Sequence, residues 1–382
     1  MHTPLGYTIP LAAGIKSVVK LPVFCTGRIN DPVMAERVLA DGQADMIGMV
    51  RAQICDPGLA NKAKEGRLDE IRYCIADNQG CYGRVGLNES IGCIQNPDIG
   101  YEKERGAGTL KPAIVSKNVT IVGGGPAGLR AAEVAARRGH KVTLYEKQER
   151  LGGQVNIAAL GAGREELKNI IRNFENQLKL LPVKIILNQE VTSDFIIEQG
   201  PDIVIVATGA RPKPCPLPGG DGINVFNVWQ VLTGEAKVGK KVLFIDSDGH
   251  HQATATAEFL ADRGCQVHIV TNSPTIGSEL GPSQDSYLAH QRLAQKGVTF
   301  TPDFAVTEIL GTSVKGLNFY NNEWHTFEGY DTVVYVMGSR VEDTLYKALK
   351  GKVKELYRIG DCVTPRKIDM AILEGNKAGR EI

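Results

Sequence analysis

Three cysteines and one aspartate stand at the spacing of a metal-ligand set: Cys74, Asp77, Cys81 and Cys93, within Tyr73-Cys74-Ile75-Ala76-Asp77-Asn78-Gln79-Gly80-Cys81 and Ile91-Gly92-Cys93-Ile94-Gln95-Asn96-Pro97. Thiolates are soft donors that suit iron–sulfur cores, and a carboxylate can ligate iron as a harder anion. A second group, Gly123-Gly124-Gly125-Pro126-Ala127-Gly128, lies between a β-branched run and a helical pattern, and Glu146 ends the next predicted strand 18 residues after Gly128. Glycines there permit a tight turn and let a pyrophosphate approach a helix N-terminus, while the carboxylate can accept from ribose hydroxyls. A third pair of loops, Gly27-Arg28 and Gly48-Met49-Val50-Arg51, each follows a predicted strand. Backbone N–H groups beside a guanidinium that can act bidentately make a phosphate site.

A fourth feature is a missing one. After the apolar run 240–245, where a dinucleotide site would carry its glycines, the chain has Asp246-Ser247-Asp248-Gly249-His250-His251. Two carboxylates repel a pyrophosphate, and His251 stands where close backbone approach is wanted. NAD(P)H is therefore not expected to bind here in the usual way. His250 and His251 read either as a metal pair or, with no further ligand nearby in sequence, as surface residues. Cys25, Cys55, Cys215, Cys265 and Cys362 have no mutual ligand spacing and read as buried small hydrophobes. Cys362 has no partner cysteine three residues away, so no redox dithiol is expected.

The elements that must position these residues follow from periodicity. Residues 17–66 read as strand, helix, strand, helix, the βα repeat of a (β/α)8 barrel. Two units cannot close a barrel, so about six more are expected before Met1. Residues 67–110, rich in Gly, Asn and Cys, have little periodicity and read as a segment organised by a metal site. Residues 117–147 form a βαβ unit whose helix stops at Gly139, and residues 240–272 form a second whose helix stops at Gly264. The stretch 201–212 has a weaker echo at 330–341, each a hydrophobic strand running into a glycine turn. The fold expected is α/β: a barrel remnant at 1–66, the iron–sulfur segment at 67–110, and two Rossmann-like nucleotide-binding domains. The first would be built from 111–212 and 341–382, with the second, 213–340, inserted into it.

On these motifs the chain resembles, over essentially its whole length, the C-terminal part of the old yellow enzyme-like NADH:flavin oxidoreductases that carry an iron–sulfur cluster, the 2,4-dienoyl-CoA reductase and trimethylamine dehydrogenase group. Members of that group carry C-x2-C-x3-C-x11-C around a [4Fe–4S] cluster, and this chain keeps every spacing with Asp77 at the second cysteine. The resemblance leaves three readings open: an Asp-ligated [4Fe–4S] cluster, a [3Fe–4S] cluster on three cysteines, or an empty site. Leu151-Gly152-Gly153-Gln154, Ala207-Thr208-Gly209 and Gly360-Asp361 fall where two-domain flavoprotein reductases carry theirs. That implies FAD, or only ADP, held by Gly123, Gly125, Gly128, Glu146, Gly153, Gln154, Thr208, Gly209, Gly360 and Asp361, with Asp361 toward the flavin ribityl chain. It also implies FMN phosphate at Gly27, Arg28, Gly48 and Arg51 in the full-length form.

The resemblance implies an oxidoreductase with hydride chemistry at FMN and electrons relayed through the cluster. The altered loop at 246–251 looks more like the amine dehydrogenase and N-demethylase branch, whose members pass electrons to an electron-transferring flavoprotein and oxidise small N-methylated amines. The alternatives are an NAD(P)H-dependent enoate or 2,4-dienoyl-CoA reductase, and a non-catalytic electron-transfer module lacking its barrel. The catalytic acids and bases would lie on earlier barrel strands, so no catalytic residue is named.

Composition sets the outer bounds. Lys and Arg total 44 against 43 Asp and Glu, which gives no reason to expect nucleic acid or a charged membrane surface as partner. No run approaches the roughly 20 apolar residues of a membrane span, and the start lacks the basic and apolar regions of a signal peptide. The expected compartment is the cytoplasm. The expected partners are a small-molecule substrate and an oligomer mate or separate barrel subunit that covers the open strand edges of 1–66.

Overall fold

A computed structural model describes residue 1 and residues 3–382. The segment before residue 67 is less regular than its pattern suggests. Helix Ile9–Lys16 is followed by a turn, and the strand expected over 17–27 shortens to Phe24–Thr26. It pairs in parallel with Met46–Gly48, with Phe24 opposite Met46 and Thr26 opposite Gly48. Helix Pro32–Ala40 connects them, started by Pro32 and by the Asp31 side chain, which accepts from the Val33 N–H. A helix not read in the sequence, Val50–Cys55, leaves the second strand directly, and Leu59–Lys64 follows. Cys25, Val23, Ile29, Val38 and Ala44 form a small core on one side of the strand pair. Phe24 and Met46 on the other side are 64% and 53% exposed. The pair is a two-stranded parallel sheet, and the barrel reading reaches beyond what these strands display.

Two larger sheets carry the rest. The first has five parallel strands in the spatial order Glu355–Arg358, Ile203–Val206, Asn118–Val122, Lys141–Tyr145, Val183–Ile186. Its second strand is fully buried because Ile203, Val204, Ile205 and Val206 face helices on both sides, which is why that strand reads as a continuous apolar run. Helix Pro126–Arg137 lies on it and packs along the C-terminal helix Ile368–Glu381. The edge strand Glu355–Arg358 arrives from the far end of the chain, after the second unit has been completed.

The second sheet repeats the design with the order Thr299–Thr301, Gln266–Thr271, Lys241–Asp246, Thr332–Val336, Val225–Asn227, all parallel. An antiparallel three-stranded ribbon, Phe304–Leu310, Ser313–Asn318 and Trp324–Phe327, closes one face through Phe304, Ile309 and Val314. The two sequence echoes meet each other. Ala210–Pro212 and Ser339–Val341 pair antiparallel, with Ala210 opposite Val341, as the two crossings between the sheets. Among the described residues no helix is long and apolar enough to cross a membrane.

Candidate functional site

The glycine loop leaves the central strand of the first sheet at Val122 and enters helix Pro126–Arg137 with Gly125 as its N-cap residue. Gly123 sits at φ 112°, and a Cβ there would fall 2.3 Å from the Ala207 carbonyl oxygen. A Cβ on Gly128 would fall 2.0 Å from the Gly123 oxygen, so strand, turn and helix close only around glycine. A Cβ on Gly125 would meet nothing within 4 Å: the helix N-terminus faces open space there. Glu146, at the end of the next strand, accepts from the Gly124 N–H at 2.7 Å and from the Gln148 N–H at 2.8 Å.

The remaining residues assigned to this site close around the same loop. Gly153 stands over Gly125, and Gln154 Nε2 donates to Asp361 Oδ2 at 3.2 Å. Gly209 lies beside the Gln154 amide, and Thr208 donates its hydroxyl to the Glu342 carbonyl. Gly360 is in the left-handed region, its N–H donating to Glu374, so the Asp361 carboxyl turns toward Gln154. Burial pushes the Asp361 carboxyl above the usual carboxylate range, against the Arg366 N–H and Gln154 that favour the anion. Gly123, Gly125, Gly128, Glu146, Gly153, Gln154, Thr208, Gly209, Gly360 and Asp361 thus lie at the C-terminal ends of the parallel strands, where open α/β sheets bind ligands. A wider groove at the opposite ends, lined by Ser116, Gly139, His140 and Lys184, has no such chemistry.

The second loop is built differently. Asp246, the last residue of its strand, curls back so that Oδ1 accepts from the N–H groups of Asp248 and Gly249, each at 2.9 Å. The protein's own carboxylate takes donors that a pyrophosphate would use. Burial raises the Asp246 carboxyl above its ordinary range, and Oδ2 of Asp246 and Oδ2 of Asp248 are both buried without a hydrogen bond. His250 and His251 are half-buried rather than on the surface, and His251 Nε2 sits 3.1 Å from Asp285 Oδ2.

Cys74, Asp77, Cys81 and Cys93 line one enclosed pocket together with Arg51, Asn78, Gly80 and Gln95. Ala76 and Asn78 flank Asp77 with φ values of 50° and 64°, a strained turn that over-determines the loop. Burial raises the Cys74 thiol to about 11 and the Asp77 carboxyl to about 6, the latter against the pull of Arg164. The Cys93 thiol is brought down to about 7, chiefly by a hydrogen bond from Cys55, against burial and with help from the Gln95 and Asn96 N–H groups. Asp77 Oδ2 is buried with no hydrogen-bond partner. Among the described residues no three His, Cys, Asp or Glu side chains gather as a set for one metal ion. Soft thiols spread around a pocket with an orphaned carboxylate oxygen fit a multinuclear metal–sulfur core in donor chemistry.

The structure adds Cys55 to this pocket, which spacing could not reveal. It lies 19 residues before Cys74, beyond two helices, and is fully buried. Of the other cysteines read as buried hydrophobes, Cys25 and Cys362 are buried, while Cys215 and Cys265 are half-buried. Gly27 and Gly48 end the two paired strands side by side, but their arginines turn elsewhere. Arg28 pairs with Glu166, its Nη2 donating to both carboxylate oxygens at 2.5 and 2.7 Å, and Arg51 donates to Asn78 Oδ1 at 2.8 Å at the rim of the cysteine pocket. Both guanidiniums are spent on protein acceptors.

Comparison with known proteins places these features in context. Residues 117–375 match the pyridine nucleotide-disulphide oxidoreductase family, and residues 6–70 match the NADH:flavin oxidoreductase / NADH oxidase family. The chain is 35% identical to an NADH oxidase of Thermoanaerobacter brockii, over 99% of this chain and 58% of that protein. It is 33% identical to N,N-dimethylglycine/sarcosine dehydrogenase of Chromohalobacter salexigens, over 98% of this chain and 59% of the relative. A solved 2-naphthoyl-CoA reductase complex superposes with a TM-score of 0.92 at 33% identity, covering 100% of this chain and 57% of that one. The chain spans somewhat under three fifths of the length of these relatives.

Proposed function

The chain belongs to the pyridine nucleotide-disulphide oxidoreductase family, with a leading segment of the NADH:flavin oxidoreductase family, and from that premise we propose that it is the electron-transfer portion of a flavin-dependent iron–sulfur oxidoreductase acting on a small N-methylated amine. The observation that carries the amine reading is the second loop, whose N–H groups are capped by Asp246 and so withheld from NAD(P)H. Electrons would then enter from the substrate and leave toward an acceptor protein, an electron-transferring flavoprotein by chemistry. The likeness to N,N-dimethylglycine/sarcosine dehydrogenase supports this direction.

In this reading the first loop holds FAD or ADP. The open helix N-terminus at Gly125 receives the pyrophosphate, Glu146 offers its remaining lone pairs to ribose hydroxyls, and Asp361 faces the ribityl chain. A bound flavin supplies hydride and single-electron transfer. The chain's own residues bind it, exclude water and hold the loop rigid. Gly27, Arg28, Gly48 and Arg51 belong to the FMN phosphate end of the full-length form, where Arg28 would have to leave Glu166. The exposed Leu11, Val18, Leu21 and Phe24 support a mate, either an oligomer partner or a barrel subunit, over this segment.

The test is an anaerobic cofactor census of the chain followed by reductant challenge. FAD or ADP is expected, with NADH and NADPH neither binding tightly nor bleaching the flavin that dithionite bleaches. Rapid bleaching by NADH would move the assignment to the second reading, an NAD(P)H-driven enoate or 2,4-dienoyl-CoA reductase, which the likeness to an NADH oxidase and to 2-naphthoyl-CoA reductase favours. A chain that binds adenine nucleotide and iron and takes no FMN would stand as an electron-transfer module without its barrel.

A further inference from the structure

We propose that the acidic loop 246–251 serves a second purpose: it anchors a strut, residues 277–285, that holds the wall of the cysteine pocket in place, with His251 and Asp285 as its positioning residues. The consequence for a metal–sulfur core rests on the reading above, while the strut itself is a matter of contacts between protein groups.

The strut belongs to the connection between strand Gln266–Thr271 and helix Ser286–Gln295, and the loop grips it twice. Near its start the Glu279 N–H donates to the Gly249 carbonyl at 3.1 Å. A Cβ on Gly249, whose φ is 67°, would fall 2.5 Å from Ser278 Oγ, so loop and strut meet with no room for a side chain between them. At the far end His251 Nε2 lies 3.1 Å from Asp285 Oδ2, the imidazole N–H donating to the carboxylate, and the Ser283 hydroxyl donates to the same oxygen at 3.0 Å. Ser283 and Asp285 are both buried, and a hydrogen bond to a buried charged group is among the stronger kinds. His251 occupies the place where a dinucleotide loop carries its third glycine. The side chain that denies a pyrophosphate close approach is the one that reaches the strut.

The other side of the strut lies against the segment that carries Cys81. Asn78 Nδ2 donates to the Ser283 carbonyl at 3.2 Å, across 205 residues of sequence, while Asn78 Oδ1 accepts from Arg51. The Asn78 amide is thus held at both ends, and its φ of 64° is a conformation that persists only where the surroundings over-determine it. The Asn78 carbonyl accepts from the Gly83 N–H at 2.8 Å, at the start of the short helix Tyr82–Gly86 that follows Cys81. That helix rests on Pro282: a Cβ on Gly83 would fall 3.3 Å from the Pro282 carbonyl oxygen, and one on Gly86 3.9 Å from it. A continuous path of contacts therefore runs from His251 through Asp285 and Ser283 to Asn78 and the pocket wall. Removing the His251 N–H frees the far end of the strut, and Asn78 loses its abutment.

The experiment alkylates the full chain, reduced and metal-free, with iodoacetamide and follows each cysteine by peptide mass spectrometry. His251→Ala is expected to raise the rate at Cys81 and Cys93 about tenfold. His251→Gln, whose amide N–H can reach the same carboxylate, should restore the parent rate. Cys265 in the second sheet and Cys362 beside the first should react as in the parent, and the adenine nucleotide should stay bound. Unchanged rates at Cys81 and Cys93 would overturn the proposal, as would a rise that Cys265 shares equally, which would mean that the second unit had simply unfolded. Should His251→Ala fail to fold, hydrogen exchange in the parent decides: amides of 78–86 and 277–285 must open together, and one segment exchanging fast beside a slow one would refute the strut. After reconstitution with Fe²⁺ and sulfide, His251→Ala should lose iron to a chelator about tenfold faster than the parent. A parent that takes up no iron would overturn the metal reading, and the labelling of the metal-free chain would still decide the strut.

Discussion

The loop at Gly123–Gly128 and the loop at Asp246–His251 occupy equivalent places: each leaves the central strand of a five-stranded parallel sheet and enters a helix that crosses to the neighbouring strand. They differ in where a carboxylate stands. In the first it is Glu146, on the next strand, reaching across to one N–H and leaving the helix N-terminus open at Gly125. In the second it is Asp246, on the loop's own strand, folding over two N–H groups. The backbone design is shared, and one side chain decides whether the loop's N–H groups stay open or are taken by the protein itself.

The largest effect that would test this contrast comes from Gly128→Val. Its side chain would press into the Gly123 carbonyl, so we expect a loss of about 3 kcal/mol or more in stability together with loss of bound adenine nucleotide, read by thermal melting and nucleotide release. Retention of both would break the comparison at its base. Next is the double change Asp246→Gly with Asp248→Gly, which frees the second loop. NADH affinity is expected to rise about tenfold, equivalent to about 1.4 kcal/mol, by fluorescence titration; no rise would mean that the carboxylates are not the barrier. Gly125→Val sharpens the first loop alone. Its side chain enters open space, so melting should stay within about 0.5 kcal/mol of the parent while nucleotide retention falls about tenfold.

The smallest effect is electrostatic. The folded state holds the Asp246 proton more tightly than the unfolded chain, in which an aspartate titrates near about 4. Stability from this group therefore falls as pH rises from that value through the raised folded pKa, and Asp246→Asn should flatten the fall. Parallel melting curves for the two proteins across that range would show that Asp246 is not the strained carboxylate the loop geometry makes it.

Local regularities made much of this legible before any coordinates. Gly123 and Gly128 declare a strand-to-helix turn because only glycine fits at those two positions, and the run at 203–206 declares a doubly covered strand because each face is buried. Where the pattern misled, the reason is tertiary. Residues 17–23 are β-branched yet turn rather than extend, since only Phe24–Thr26 finds a partner strand. Arg28 sits in a phosphate-type loop yet is captured by Glu166, 138 residues away.

By itself the sequence determined the two parallel sheets, the open glycine loop, the acidic one and three of the thiols that line one pocket, all of them matters of neighbouring residues and their backbone preferences. Only the tertiary structure decided that Cys55 lines the same pocket as those three, that the echoes at 201–212 and 330–341 pair with each other, and where each guanidinium is spent. Those depend on which distant segments the packing brings together, and no local spacing carries that information.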